Sequence, residues 1–193
     1  QSTVYSIATD IINWKKSTVG SNADGYLMND GFLSLAGTTP GDWYPIGLGR
    51  LGITDNQTGY LAVINETVQK RYQTAEKLDR TKATEWHRIS LAVLASGGDP
   101  RDMGVNGEID LIADGTYNRG LTVSPGRQGI NGWIWGLIAL DSKCYEVPSD
   151  AVNTREDFIV EILRTQRSDG GFALTGEVSD VDITAMAIQA LAP

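Results

Sequence analysis

The chain has 193 residues, with 16 lysines and arginines against 24 aspartates and glutamates, a formal charge of −8. That balance speaks against a domain built to grip nucleic-acid phosphates and against a polybasic membrane-surface binder, both of which need a basic face. Hydrophobic residues at 41% and charged residues at 21% are ordinary globular usage, and the length suits one domain spanning residues 1–193.

In chain order, residues 3–16 predict an opening helix, followed by a Gly/Asp/Pro-rich loop over 20–41. A gapless internal repeat then emerges at residues 42–51, 85–94, 131–140 and 182–191, with units roughly 43 to 51 residues apart. Its large apolar columns are Ile46/Ile89/Trp135/Met186, Leu48/Leu91/Leu137/Ile188 and Leu51/Leu94/Leu140/Leu191. One column is small: Gly47, Ser90, Gly136 and Ala187. The first column, Asp42, Glu85, Asn131 and Asp182, is polar and able to cap a helix. Each unit reads as a buried helix whose small column admits a close neighbour.

Between these units lie more amphipathic stretches at 62–77 and 154–166, with a shorter one at 106–115. Thr154 and Asp157 are spaced as a cap pair. Buried and amphipathic helices therefore alternate, about eight in all, with no competing strand pattern. The fold class predicted is all-α, an array of helical hairpins with inner and outer helices. The last helix is still apolar at Pro193, from which we expect the domain to continue beyond it or a partner to cover it. The start at Gln1 rather than Met predicts a processed form or a fragment.

The reactive residues narrow the chemistry. A structural zinc site needs about four Cys or His ligands, and the chain has one of each, Cys144 and His87, so no metal or cofactor is predicted. Cys144 follows an apolar helix without a nucleophile signature, and His87 sits beside Trp86 at a helix start, which favours packing over a triad. The 22 glycines form no phosphate loop or dinucleotide fingerprint. Asp99, Asp102, Glu108 and Asp110 cluster in sequence; paired carboxylates could in principle cleave a glycoside, but a solvated acidic loop or an incidental divalent-ion site is the favoured reading. No run of 18 apolar residues offers a membrane span.

Two short motifs carry a family resemblance. Gln166-Arg-Ser-Asp-Gly-Gly-Phe172, with Gly170 and Gly171, resembles the Gln-x-x-x-Gly-x-Trp repeat of terpenoid cyclases, Phe172 standing at the Trp position. Residues 180–185, Asp-Val-Asp-Ile-Thr-Ala, resemble the Asp-x-Asp-Asp-Thr-Ala motif of squalene–hopene-type cyclases. The looser pattern over 42–193 is similar to the prenyltransferase/squalene-oxidase repeat of bacterial surface proteins and to the helical domain of cobalamin carriers. The resemblance implies an α/α toroid, usually of six helix pairs, of which this chain would supply about four.

In the family, the Gln, the glycine pair and the aromatic staple one hairpin to the next. The resemblance also implies that Asp182 is a proton donor to an alkene or epoxide, with Asp180 assisting. The third acid of that motif is Ile183 here. Asp182 therefore carries two readings, catalytic acid or helix cap. The expected function is a non-catalytic binding domain of a secreted or cell-surface bacterial protein, joined to other domains of a larger parent. A cytoplasmic location also fits a chain with a lone cysteine. Its ligand, a small apolar or corrinoid-like molecule, would sit at the mouth formed by the inner-helix starts, beside Trp43, Trp86, Trp133 and Trp135. The alternatives are a class II terpenoid-cyclase-like enzyme and a structural spacer.

Overall fold

The structure, a computed structural model, describes residues 2–18, 25–120 and 123–193. Among the described residues the protein is all-helical: α1 (Ser2–Thr18), α2 (Asp30–Leu33), α3 (Thr39–Leu51), α4 (Gln57–Tyr72), α5 (Thr84–Ala95), α6 (Leu111–Gly115), α7 (Ile130–Asp141), α8 (Arg155–Leu163) and α9 (Val181–Leu191), with a 3-10 turn at Pro125–Gln128. The pairing closest to sheet is an isolated bridge between Met103 and Ile109. None of these helices is long and apolar enough to cross a membrane.

The periodic segments and the helices coincide closely, but the starts differ. The polar column is not a row of caps. Thr38 caps α3 by accepting from the Gly41 N–H, and Asp180 caps α9 by accepting from the Ile183 N–H. Asp42, Glu85, Asn131 and Asp182 lie inside their helices, within the first turn. An acid is favoured there too, because the first turn exposes unpaired N–H groups and the positive end of the helix dipole. Of the loop expected over 20–41, residues 20–24 lie outside the described residues. The remainder holds α2, which Asn29 caps by accepting from the Phe32 N–H, and the first residues of α3.

The stretch 62–77 is also shifted. Asn56 accepts from the Gly59 N–H and starts α4 early, and the chain turns after Tyr72. Residues 106–110 are not helical, because Gly104 and Gly107 take positive φ and the Met103–Ile109 pair closes the turn. Thr154 and Asp157 form a capping box on α8.

The chain falls into two compact units, residues 1–67 with 92–98 and residues 68–91 with 99–193. The first unit buries Met28, Leu48, Tyr60 and Ile64. Two carboxylates organise its polar interior. Asp42, completely buried, accepts from the Gly37 N–H and the Tyr60 hydroxyl, both at 2.8 Å. Asp55 accepts from the Leu27, Met28 and Asn56 amides and from the Tyr44 hydroxyl. Buried acceptors so engaged are costly to remove, since each stranded donor costs about 1–3 kcal/mol.

In the second unit α7 packs against α6, α8, α9 and the 3-10 turn. Ile134, Leu137, Leu140, Phe158 and Ile162 are all but fully buried there, and Trp133 meets Phe158 edge-on at 5.1 Å. The small column matters at Gly136, where a Cβ would lie 2.3 Å from the Phe158 ring. At Gly47, in the first unit, nothing lies within 4 Å. The apolar columns are buried or half-buried apart from Ile188, which is exposed.

Candidate functional site

The residues picked out by sequence take unequal places. Asp180 is committed to the α9 cap, its Oδ1 accepting from the Ile183 N–H at 2.9 Å. Asp182 is exposed to water on the first turn of α9. The cap is therefore Asp180, not Asp182. We expect Asp180→Ala to cost about 1 kcal/mol of stability and Asp182→Ala less than about 0.5 kcal/mol, measured by denaturant unfolding.

The repeat motif forms a local staple. Gln166 Nε2 donates to the Gly170 carbonyl at 2.8 Å, Gly170 adopts φ +87°, and a Cβ at Gly171 would meet Ser179 Oγ at 2.5 Å. Phe172 is buried, its N–H donating to Thr184 Oγ1 and its carbonyl accepting from the Asp180 N–H.

Trp133 and Trp135 pack against the core of the second unit. Trp43 belongs to the first unit and is partly exposed. Trp86 is buried, and a Cβ at Gly115 would sit 2.5 Å from its own Cβ.

His87 is sealed inside, its Nε2 2.8 Å from the Gly115 carbonyl, while Cys144 is exposed at positive φ after α7. Three of the four clustered acids are engaged locally. Asp99 pairs with Arg101, Glu108 accepts from the Asn106 N–H, and Asp110 caps α6. Among the described residues no group of three or more His, Cys, Asp or Glu is placed to hold a metal ion.

What the fold does assemble is a cleft in the second unit, between the turn that follows α4, the start of α5, the end of α6 and the residues just beyond it. It encloses about 460 Å³, lined by Ala75, Lys77, Trp86, Asp114, Arg119 and Val123 among others. A second, more open recess of about 680 Å³ adjoins it, sharing Lys77, Asp114 and Asn118.

A hydrogen-bonded chain joins the cleft to the recess, through Trp86 of the first, Tyr72 of the second and Asp114 of both. Trp86 Nε1 donates to the Tyr72 hydroxyl at 2.7 Å, and that hydroxyl donates to Asp114 Oδ2 at 2.9 Å. Lys77 Nζ donates to the same carboxylate oxygen at 2.6 Å and sits 4.8 Å from the Tyr72 ring centroid. Burial, reinforced by the Asp114 carboxylate, pushes the Tyr72 phenol well above its usual range, so Tyr72 stays a neutral donor.

Lys77 adopts φ +49°, a left-handed conformation that costs a non-glycine residue about 1 kcal/mol and tends to persist where the surroundings impose it. Arg119 stacks its guanidinium over Trp86, 4.4 Å from the ring centroid. Asn153, just before the α8 cap, pins the turn that carries Arg119, donating from Nδ2 to the Thr116 and Arg119 carbonyls.

The carboxylates of the cleft and of its neighbouring recess are engaged. Asp114 is held by two donors, and Asp110 Oδ1 is bonded to the Ala113 N–H, so neither is a bare base. Burial raises the Asp110 carboxyl above its ordinary range. Among the described residues that line the cleft there is no serine, threonine or cysteine to act as a nucleophile. Trp86 is the residue of the site that the sequence singles out as ligand-binding. Tyr72 and Asp114 lie 42 positions apart in the chain, and no local motif marks Tyr72, Lys77, Asp114 or Arg119.

Comparison of the chain with family models, curated proteins and solved structures returns no match, so the geometry of the site carries the functional reading.

Proposed function

We propose that this chain is a non-catalytic binding domain, built from helical hairpins like those of terpenoid-cyclase and prenyltransferase-like α/α toroids. Its ligand site is the cleft over Tyr72, Asp114 and Arg119 rather than a ring of tryptophans. The observation that carries this reading is the cleft itself. Its volume of about 460 Å³ lies within the range usual for small-molecule sites, with an apolar wall and a few fixed polar groups. Its size favours a ligand smaller than a corrinoid. Engaged carboxylates, a neutral phenol and an exposed Asp182 support binding over proton-initiated cyclisation. The toroid and a secreted or cell-surface location rest on the resemblance of the 166–185 motifs and on the packing of α8 and α9 against α7.

Two measurements test the proposal. Incubation with squalene should give no cyclised product, and Asp182→Asn should change nothing. A product formed by the wild type and lost in that variant would make the chain an enzyme. Titration of the ¹⁵N-labelled chain with a set of small neutral and charged aromatic probes should shift amides at residues 72–80 and 114–120 together. Shifts confined to residues around Trp133 or Asp180 would place the ligand site elsewhere.

A further inference from the structure

We propose that the Arg119 guanidinium is the anchor for a single carboxylate carried by an otherwise apolar small molecule. This rests on the reading of the cleft as a ligand site and narrows the ligand to a chemical class.

Arg119 is only 5% exposed, yet its buried Nε has no hydrogen-bond partner, and no described carboxylate lies within ion-pair distance of it. Proteins rarely bury a charge in this way, because its lost hydration must be offset by a partner. The Trp86 ring beneath it recovers part of that loss. Asp79 and Asp114 attract it through space, but both are occupied. Asp79 Oδ1 accepts from the Thr81 N–H and hydroxyl and from the Lys82 N–H, and Asp114 Oδ2 accepts from Tyr72 and Lys77.

The guanidinium is also held in place before any ligand arrives. The Arg119 N–H donates to the Thr116 carbonyl, the Arg119 carbonyl accepts from Asn153, and the charged group lies over a buried ring. A fixed guanidinium facing a cleft is matched in geometry by a carboxylate, which it can grip through two parallel N–H groups.

The surroundings choose the charge and the body of the ligand. The lining sets Glu76, Asp79 and Asp114 against Lys77, Arg80 and Arg119, so its charges cancel as they stand, and one negative charge on the ligand is matched by the guanidinium of Arg119, whose Nε has no partner. Ala75, Val123 and Trp86 give the cleft its apolar wall. The fit is a monocarboxylate with a compact apolar or aromatic body.

Sodium benzoate, its neutral counterpart benzamide and inorganic phosphate distinguish the possibilities. Each is titrated into the ¹⁵N-labelled full chain while the Arg119 Nε–H resonance and the amides of residues 114–120 are followed. Benzoate should shift these signals saturably and bind at least tenfold more tightly than benzamide. Arg119→Lys, which keeps the charge but loses the planar fork, should weaken benzoate about tenfold and narrow its margin over benzamide. The comparison of benzoate with benzamide needs only the wild-type chain, so it stands even if the variant folds poorly. Equal affinity of benzoate and benzamide at these residues overturns the carboxylate anchor while the cleft remains a ligand site. Phosphate binding there more tightly than benzoate overturns the single-charge match. The absence of saturable shifts in the cleft with any probe overturns both the anchor and the site.

Discussion

Replacing Gly132 with alanine is expected to destabilise the second unit by about 2–3 kcal/mol and lower its melting temperature by about 5–10 °C. An ideal Cβ at this position of α7 would lie 1.7 Å from the Pro125 carbonyl oxygen and 2.6 Å from its carbon. The obstacle is backbone, and the 3-10 turn that carries it packs on α7, so no side-chain rotation relieves the overlap. Alanine gains about 1 kcal/mol of helix propensity over glycine, and overpacking against a rigid neighbour costs more than that. Gly47→Ala in α3 has the opposite expected sign. Nothing lies within 4 Å there, so only the propensity difference acts, and a gain of about 0.5–1 kcal/mol should follow. Thermal unfolding of the two variants side by side checks the packing directly. A Gly132→Ala variant as stable as the parent would contradict the close seat of α7 on the 3-10 turn.

Between pH 6.5 and about 4, acidification should remove stability chiefly through the sole histidine of the chain. Burial pulls the His87 imidazole from its ordinary value of 6.5 down to about 4, against the opposing pull of the Gly115 carbonyl. The neutral ring uses Nε2–H on that carbonyl and leaves Nδ1 buried without a donor or acceptor. Because the folded value is depressed, the unfolded chain binds the proton first. The stability is complete above pH 6.5 and is lost progressively as the pH falls from 6.5 to about 4. The full loss amounts to about 3 kcal/mol, at about 1.4 kcal/mol for each pH unit of difference between the two states. Denaturant melts of the parent and of His87→Gln between pH 7 and pH 4 test this. The parent should lose stability across that window, and the variant should show a much flatter dependence. An imidazole that titrates near 6.5 in the folded chain, seen directly by NMR, would show that His87 is not sealed.

How far the sequence reaches can be judged residue by residue. Apolar spacing places α3, α5, α7 and α9 within a few residues of their true ends, because burial of one helix face leaves a local period that a single chain displays. Cap positions are harder to read. A polar residue in the first turn and one at the cap satisfy the same unpaired amides, so Asp182 and Asp180 are hard to separate from composition alone. The Gln166–Phe172 turn is visible because its hydrogen bonds are local. The cleft is not. In the sequence Tyr72 stands out only as an apolar position of a helix, Lys77 as part of that helix, and Arg119 as a loop residue. The roles of Tyr72 and Lys77 arise from contacts across 42 and 37 positions to Asp114, and sequence spacing carries no trace of such pairings. Trp86 is conspicuous for its type, yet most of it is buried as the platform under Arg119 and only a small part reaches the cleft wall.

A crystal structure of the full chain soaked with sodium benzoate bears most directly on where the ligand sits. Density for the ring beside Trp86 and Val123, with the carboxylate on the Arg119 guanidinium, is the expected result. Benzoate absent from the cleft but ordered on the exposed face of α9 near Asp180 and Ile188, or beside Trp133, would contradict it.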